Sequence, residues 1–393
     1  MPDSLQHVVL QLIGAALKNE PALLPENTDW NAVFRQSKRH HVVNLILSGI
    51  AICNASAETA EENEFFLYGC AELARHEAQL RELDILYRLF EENGIEYMPL
   101  KGAVVKPLYP SPEWRSMSDA DILIREEQYD RVRPIMLSLG YSEETESDHE
   151  YIWDKPNALH LELHKRVIPS YNADYYAYFG DGWSRAHRVG KSCRFQFTDE
   201  DLFVYLFAHM AKHYRDGGIG LKHITDLYVY RNVRSHMDEA YIEQQMKELQ
   251  LHRFYVNILR LLRVWFEEGD DDPVTDTITD AVFQSGAYGT RSKHLLSGAV
   301  REAELSGSSR CVERGKWCRI LFPSYASMCS LYPTLKRIPM LLPFAWINRG
   351  VSLIPHPAKL RKRMDEVNRL TAEAVDSYRE SLRYVGLDFY LKE

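Results

Sequence analysis

The sequence is poor in the features that mark specialised protein classes. No window approaches the run of about 18 apolar residues that a membrane span needs. The opening Met-Pro-Asp-Ser lacks the basic residues that begin a signal peptide, so a cytoplasmic protein is expected. Six cysteines (Cys53, Cys70, Cys193, Cys311, Cys318, Cys329) never fall in C-x-x-C spacing. That argues against a zinc knuckle and a disulfide framework and leaves reduced thiols. No internal repeat or low-complexity tract is found. A net charge of −9 gives no global attraction to a polyanion. Nucleic acid is therefore disfavoured as a partner, although a local basic groove would be compatible with it.

What is there is an ordinary globular composition of 393 residues, 45% hydrophobic and 26% charged, with room for two or three domains. Up to about Gly94 the pattern is helical. Leu5, Val8, Val9, Leu12, Ile13, Ala16 and Leu17 recur at i, i+3, i+4 spacing. Thr28 or Asp29 can cap a second helix running through Leu47, and a third should span Glu62 to Asn93 with Gly94 as its stop. Lys38-Arg39-His40-His41 reads as a solvated face of the second helix.

Between Ile95 and Phe197 the signals become mixed. Strands are expected near Tyr97–Leu100, Asp119–Ile124, Tyr151–Asp154 and Leu159–His164, with helices over Ala103–Tyr109 and Glu126–Leu139. The stretch from Met98 to Ile124 organises the chain: an apolar run stops at Lys101-Gly102, and a second opens with Asp119-Ala-Asp121. Alternation points both aspartates to one face, where their repulsion is relieved by a divalent cation held through oxygen ligands. An isolated Asp-x-Asp can equally be a solvated strand edge, but here a glycine turn precedes it and Ile122-Leu123-Ile124 follow.

Lys101-Gly102, Arg115 and Asp119-Ala-Asp121-Ile-Leu-Ile resemble the signature of the DNA polymerase beta-like nucleotidyltransferase superfamily, in the version found in uncharacterised bacterial nucleotidyltransferases. Two departures stand out: Lys-Gly replaces the usual Gly-Ser, and sixteen residues separate Gly102 from Asp119. Without that serine hydroxyl, phosphate binding falls to the Gly102 backbone, Lys101 or groups further away. The resemblance implies an α+β fold, a minimal mixed sheet with flanking helices enclosed by N- and C-terminal helical domains. The expected division is 1–94, 95–197, 198–310 and 311–393.

A third carboxylate is found in Leu159-His160-Leu161-Glu162-Leu163-His164, where alternation sets the leucines on one face and His160, Glu162 and His164 on the other. Related chains show an acid-x-His step here, matched by Glu162-Leu163-His164. A zinc site of the two histidines and the glutamate is the rival reading, but ligands about 6 to 7 Å apart along one strand suit a tetrahedral ion poorly.

From Asp201 to Phe266 the pattern is helical again. Leu202, Phe203, Leu206, Phe207 and Met210 make an apolar stripe with His209, Lys212 and His213 at its edge, before the Gly217-Gly218-Ile219-Gly220 turn. That turn follows no strand and is not a dinucleotide fingerprint. The family's His…Lys-His step and later Asp match His209, Lys212-His213 and Asp226. Lys212 is the candidate for a phosphate, His209 for a hydrogen-bond donor, and Asp226 for orienting one of them. A structural His–Asp pair joining two helices is the alternative. A single helix over Tyr241–Phe266 follows, then a Ser285-Gly turn, the loop Ser306–Arg310, an apolar Ile338–Ile347 broken by Pro339 and Pro343, and a Lys359–Arg363 basic cluster opening the last helix.

The resemblance implies an enzyme that moves a nucleoside monophosphate from an NTP to an acceptor. Asp119, Asp121 and Glu162 would hold Mg²⁺ or Mn²⁺, Glu162 would assist deprotonation of the acceptor, and Lys101, Gly102 and Arg115 would neutralise phosphate. The acceptor is left open by the sequence: a small metabolite, a sugar, a protein side chain and an RNA end are all compatible with this site. A non-catalytic nucleotide-sensing or interaction protein that keeps the fold is the other class. The N-terminal helices and the segment after Asp201 are expected to wall one cleft.

Overall fold

The computed structural model describes residues 4–55, 62–156, 158–270, 272–310, 312–313, 315, 321–323, 325–351 and 357–388. Four helices open the chain: α1 (Ser4–Lys18), α2 (Trp30–His40), α3 (Val43–Ile52) and α4 (Glu62–Glu92). Asp29 caps α2 by accepting the Ala32 N–H at 2.9 Å. The one helix expected from Thr28 to Leu47 is two, because His41 turns into the left-handed region (φ 57°) and redirects the chain. Gly94, at φ 62°, ends the turn after α4.

A five-stranded sheet follows, formed by β1 (Tyr97–Pro99), β2 (Asp119–Ile124), β3 (Ser142–Glu146), β4 (Glu150–Asp154) and β5 (His160–His164) in the order β1-β2-β5-β4-β3. Only β2 and β5 run parallel, with Asp121 paired to Glu162 and Asp119 to His160. The short α5 (Gly102–Val105) lies between β1 and β2, and α6 (Tyr129–Ser138) between β2 and β3. The helix expected over Glu126–Leu139 begins with a 3₁₀ turn, Glu126–Gln128.

Alternation on the two central strands decides what each face does. Ala120, Ile122, Ile124, Leu161 and Leu163 join Leu86 and Phe90 of α4 and Val132 and Met136 of α6 in one core. Each such Leu or Ile, fully buried, contributes about 1.5–3 kcal/mol. The opposite face carries Asp119, Asp121, Glu162 and His164. Burying one face so fully fixes the register, since a one-residue slip would drive the acids into hydrocarbon.

After β5 come α7 (Ala173–Phe179), a two-stranded ribbon of β6 (His187–Arg188) and β7 (Phe195–Gln196), then α8 (Asp199–Asp216), α9 (Leu221–Val233), α10 (Glu239–Glu248), α11 (His252–Phe266), α12 (Pro273–Ser285) and α13 (Arg291–Ser306). The single helix expected over Tyr241–Phe266 is α10 and α11, divided at Gln250 (φ 58°). Further helices span Tyr325–Leu331, Leu342–Val351, Pro357–Asn368 and Ala372–Val385, so the Lys359–Arg363 cluster belongs to the helix before the last. A second, larger hydrophobic core runs from Val8 of α1 through Met98, Leu123 and α8 to Leu387. N- and C-terminal helices thus share their interior with the sheet. Cys53, Cys70, Cys193 and Cys329 are free thiols, whereas Cys311 and Cys318 lie outside the described residues. No helix among the described residues is long and apolar enough to cross a membrane.

The basic cluster on α2 is a solvated face only in part, with Arg39 exposed and His40 buried. His40 is fully buried and accepts the Leu221 N–H at its ring nitrogen (3.3 Å), Arg39 donates to the Gln284 carbonyl, and Lys38 pairs with Glu64 at 2.8 Å. These side chains fasten α2 to α9, to the end of α12 and to α4.

Candidate active site

A cavity of about 450 Å³ lies over the acidic face of the sheet. It is within the range of small-molecule sites. Lys101, Gly102, Arg115, Asp119, Asp121, Glu162 and His164 form one wall, and α8 and α9 form the other. Tyr288 and His294, from the α12–α13 connection and the first turn of α13, sit at its edge. No residue before Lys101 lines it, which corrects the expectation that the N-terminal helices would supply a wall. They support it from behind: the His41 ring meets Tyr288 edge-on at 5.2 Å between centroids.

Asp121 is the most constrained acid. Lys101 donates to its Oδ1 at 2.5 Å and His164 Nε2 lies 2.8 Å from the same atom. Burial opposes its ionisation, but the Lys101 ammonium and the His164 contact outweigh burial and hold the carboxyl well below the usual carboxylate range. Lys101 reaches it from a strained backbone, φ 46° and ψ −117°, at the entry to α5. For His164, burial and the Lys101 charge favour the neutral ring; bonding to Asp121 and Glu162 prevails and raises its pKa.

Glu162 Oε2 stands 3.5 Å from His164 Nε2, so ligand atoms of Asp121, Glu162 and His164 gather within 4.8 Å of one another. Asp119 lines the same cavity outside that tight group, one strand position pair away. A second group, His149, Glu150 and His164, meets the same criterion. His149 Nε2 touches Glu150 at 2.9 Å, and the buried Nδ1 of His164 faces Glu150 at 3.9 Å without a hydrogen bond. The rival zinc set does not assemble, because His160 turns to Asp154 at 3.5 Å.

Both contacts to Asp121 fall on Oδ1, and its Oδ2 has no hydrogen bond or ion pair among the described residues. Asp119 and Asp121 of β2 and Glu162 of the neighbouring β5 bring three carboxylates to the cavity, with Glu150 beside them. An oxygen-rich donor set of this kind fits Mg²⁺ or Mn²⁺ better than a soft metal.

Arg115 is anchored. Its Nε and Nη2 donate to the two oxygens of Asp226 at 3.2 and 2.8 Å, and Tyr109 donates to the same carboxylate at 2.8 Å. Asp226 therefore orients Arg115, not His209 or Lys212 as expected from the sequence. Arg115 also explains Gly102: a Cβ there would stand 2.3 Å from Arg115 Nη1.

The helical wall is cationic. Thr198 caps α8 by accepting the Asp201 N–H at 3.1 Å. The helix is buried nearly all round rather than along a stripe, from Leu202 to Tyr214. His209 and His213 touch through their Nε2 atoms at 3.0 Å, a His–His pair within one helix rather than the His–Asp pair between two helices of the alternative reading. Burial, then neighbouring positive charge, holds both well below the usual histidine range and keeps them neutral. Lys212 has no hydrogen bond or ion pair among the described residues, and burial followed by the Lys101 charge lowers its pKa to about 8. Lys222 lies over the Tyr288 ring at 5.3 Å and is likewise lowered by burial and by Arg115. Burial and Lys222 push His223 down to about 3.

Lys222, His223, His149, Glu150 and Tyr288 were not singled out from the sequence. One signal was present: Lys212-His213 is repeated as Lys222-His223 across the glycine turn. That turn is tight because Gly218 sits at φ 103° and a Cβ on Gly217 would enter the His294 ring. Tyr288 then closes the edge by donating to Ser118 Oγ at 2.6 Å, just before β2.

No curated protein and no solved structure matches this chain. A family model described as "Uncharacterised nucleotidyltransferase" matches residues 26–267, which include the whole sheet and both the acidic and the cationic wall. The chain belongs to that nucleotidyltransferase family.

Proposed function

We propose that the protein is a cytoplasmic, divalent-metal-dependent enzyme that transfers a nucleoside monophosphate from an NTP to the hydroxyl of a small metabolite, a sugar or a protein side chain. One observation carries this reading: the paired Asp121 and Glu162 face Lys212 and Lys222, which have no carboxylate partner among the described residues, across one cavity. A triphosphate would supply the missing anion while its α-phosphorus lies toward the carboxylates.

In this reading Asp119, Asp121 and Glu162 would hold the metal. Mg²⁺ or Mn²⁺, when bound, supplies Lewis acidity that draws charge from the phosphoryl oxygens. Lys212 and Lys222 bind the β- and γ-phosphates, and neutral His209 and His213 offer hydrogen bonds without adding charge. Lys101 sets the orientation of Asp121. Arg115, locked by Asp226, presents a fixed positive charge rather than a mobile one. Glu162 takes the proton of the acceptor hydroxyl, whose oxygen attacks the α-phosphorus as the bond to the bridging oxygen breaks and pyrophosphate leaves.

A non-catalytic nucleotide-sensing role draws support from a different observation, the Lys101 ammonium resting against Asp121. Mass spectrometry of the products formed with each NTP, Mg²⁺ and a cell extract separates the two. A nucleotidylated product absent with Asp121→Asn supports the enzyme, and nucleotide binding without any product supports the sensor.

A further inference from the structure

Beside Asp121 and Glu162 the sheet carries a second group of ligating side chains, different in kind. In the antiparallel pairing of β4 with β5, Glu150 stands directly opposite His164. Side chains in that relation share a face, with Cβ atoms about 4.5–5.5 Å apart. His149 lies in the bend just before β4 and so escapes the alternation that would turn it to the other face; its Nε2 is 2.9 Å from Glu150 Oε2. One ligand atom from each of the three residues falls within 4.8 Å of the others, and all three residues line the cavity.

Two features of this group point to a ligand. The first is the Nδ1 atom of His164. The residue is 2% exposed, and Nδ1 faces Glu150 Oε2 at 3.9 Å with no hydrogen bond among the described residues, a costly state for a buried polar atom. The other ring nitrogen, Nε2, lies 2.8 Å from Asp121 Oδ1. When a carboxylate engages the Nε2–H of an imidazole, the Nδ1 lone pair is left free, which is the arrangement found behind metal-bound histidines. His149 repeats it, with Nδ1 3.2 Å from Ser147 Oγ and Nε2 directed at Glu150. The second feature is Glu150 itself. Its side chain is largely buried, and its ion-pair partners among the described residues are these two histidines, with no lysine or arginine. A buried carboxylate is stable only beside a compensating cation.

We infer that His149, Glu150 and His164 form a binding site for one divalent transition-metal ion of the Zn²⁺ type, separate from the carboxylate set that serves Mg²⁺. Two imidazoles and one carboxylate suit Zn²⁺ and its neighbours, whereas Mg²⁺ takes oxygen. Ligand atoms about 2.0–2.2 Å from a tetrahedral ion stand about 3.3–3.6 Å from one another. The two contacts to Glu150, at 2.9 and 3.9 Å, bracket that spacing, so small side-chain rotations complete the set. The fourth position opens on the cavity. The two sites share no ligand, since Asp119, Asp121 and Glu162 serve one and His164 touches it only through Nε2.

The test is isothermal titration of the full chain, stripped of metal with a chelator, with Zn²⁺ and separately with Mg²⁺. No nucleotide is present, so the outcome is independent of the transferase reading. One Zn²⁺ should bind per chain and raise the melting temperature, and excess Mg²⁺ should not displace it. Co²⁺ in its place should give the strong visible absorption of a four-coordinate ion. His149→Ala and Glu150→Gln should each weaken Zn²⁺ binding about a hundredfold, one ligand's share of such a site. His149→Ala, ahead of the strand, should melt with the metal-free parent, which guards against misfolding. Glu162→Gln, at the other site, should change Zn²⁺ affinity by less than about threefold. Absence of Zn²⁺ binding would overturn the proposal. So would binding that survives His149→Ala but is lost in Glu162→Gln, which places the ion on Asp121, Glu162 and His164, or in His213→Gln, which places it on the His209–His213 pair.

Discussion

The two walls of the cavity are built on opposite electrostatic plans. On the sheet wall the buried charges are paired: Asp121 is held by Lys101 and His164, and Arg115 by Asp226. On the helical wall Lys212 and Lys222 face the same space with no carboxylate attached among the described residues, and the histidines between them are neutral. A self-neutralised wall is rigid before any ligand arrives, because its pairs are already formed in a low dielectric. An unbalanced wall is destabilised until an anion arrives, and its affinity for that anion comes from relief of the imbalance. The sheet wall is thus suited to chemistry at a fixed point and the helical wall to capture.

The largest effects should come from breaking the sheet wall. Asp121→Asn should reduce nucleotidyl transfer by about a thousandfold, the scale set by several kcal/mol of lost metal-assisted stabilisation, while NTP affinity changes little. Turnover and nucleotide titrations measured separately check this, and a loss of affinity equal to the loss of rate would place Asp121 in capture instead. Asp226→Ala should be the most destabilising change. It leaves Arg115 buried and unpaired, a situation that costs about 3–5 kcal/mol in denaturant unfolding.

Legibility from sequence followed the same division. The sheet wall was readable because strands repeat every two residues, so Asp119, Asp121 and Glu162 announced a common face that β2 and β5 display. The edge strand β3, Ser-Glu-Glu-Thr-Glu, was missed because it is exposed throughout and has no apolar face to betray it. The breaks at His41 and Gln250 were missed because non-glycine residues take the left-handed conformation there, against local preference. The helical wall was half legible. Lys212 could be placed on a wheel, but the Asp226–Arg115 pair spans 111 residues, and no local pattern reports a contact of that kind. Tyr288 and His294 reach the cavity only because the glycine turn after α8 nests against the α12–α13 connection, where the Thr290 N–H donates to the Gly217 carbonyl at 2.9 Å.

Gly102→Ala offers a milder test of the sheet wall's rigidity. The added methyl would meet Arg115, which cannot swing away without leaving Asp226, so a cost of about 1–3 kcal/mol is expected, typical of overpacking. If Gly102→Ala costs as much in an Asp226→Asn background as in the parent, the ion pair is not what fixes the arginine. On the helical wall, Lys212→Met should weaken NTP binding about tenfold, the worth of one charge-assisted hydrogen bond, at unchanged turnover. Its melting temperature should be no lower than the parent's, since a buried, unpartnered ammonium is replaced by a thioether of similar length. A lower melting temperature with unaltered affinity would leave Lys212 only a structural role.

The smallest effect, and the one that most sharpens the contrast between the walls, is the response to alkaline pH. The Lys212 ammonium has its pKa lowered from 10.5 to about 8 in the folded protein, burial being the main cause. Between those two values the unfolded chain binds the proton and the folded chain does not, so this residue makes stability rise with pH across that window. Nucleotide capture should run the other way. Binding a triphosphate favours the charged lysine, so affinity should be flat below about pH 8 and weaken by at most about tenfold per pH unit above it. Neutral His209 and His213 have no proton left to lose in this range, and the Asp121 carboxyl, held well below the usual carboxylate range by Lys101 and His164, does not titrate in it. Lys106, also lowered to about 8, donates to the Arg115 carbonyl outside the cavity and can contribute to the stability trend but not to capture. Isothermal titration of the parent and of Lys212→Met from neutral to alkaline pH checks the assignment. The variant should lose the decline in affinity and keep part of the rise in stability, whereas a decline that persists undiminished would pass the role to Lys222.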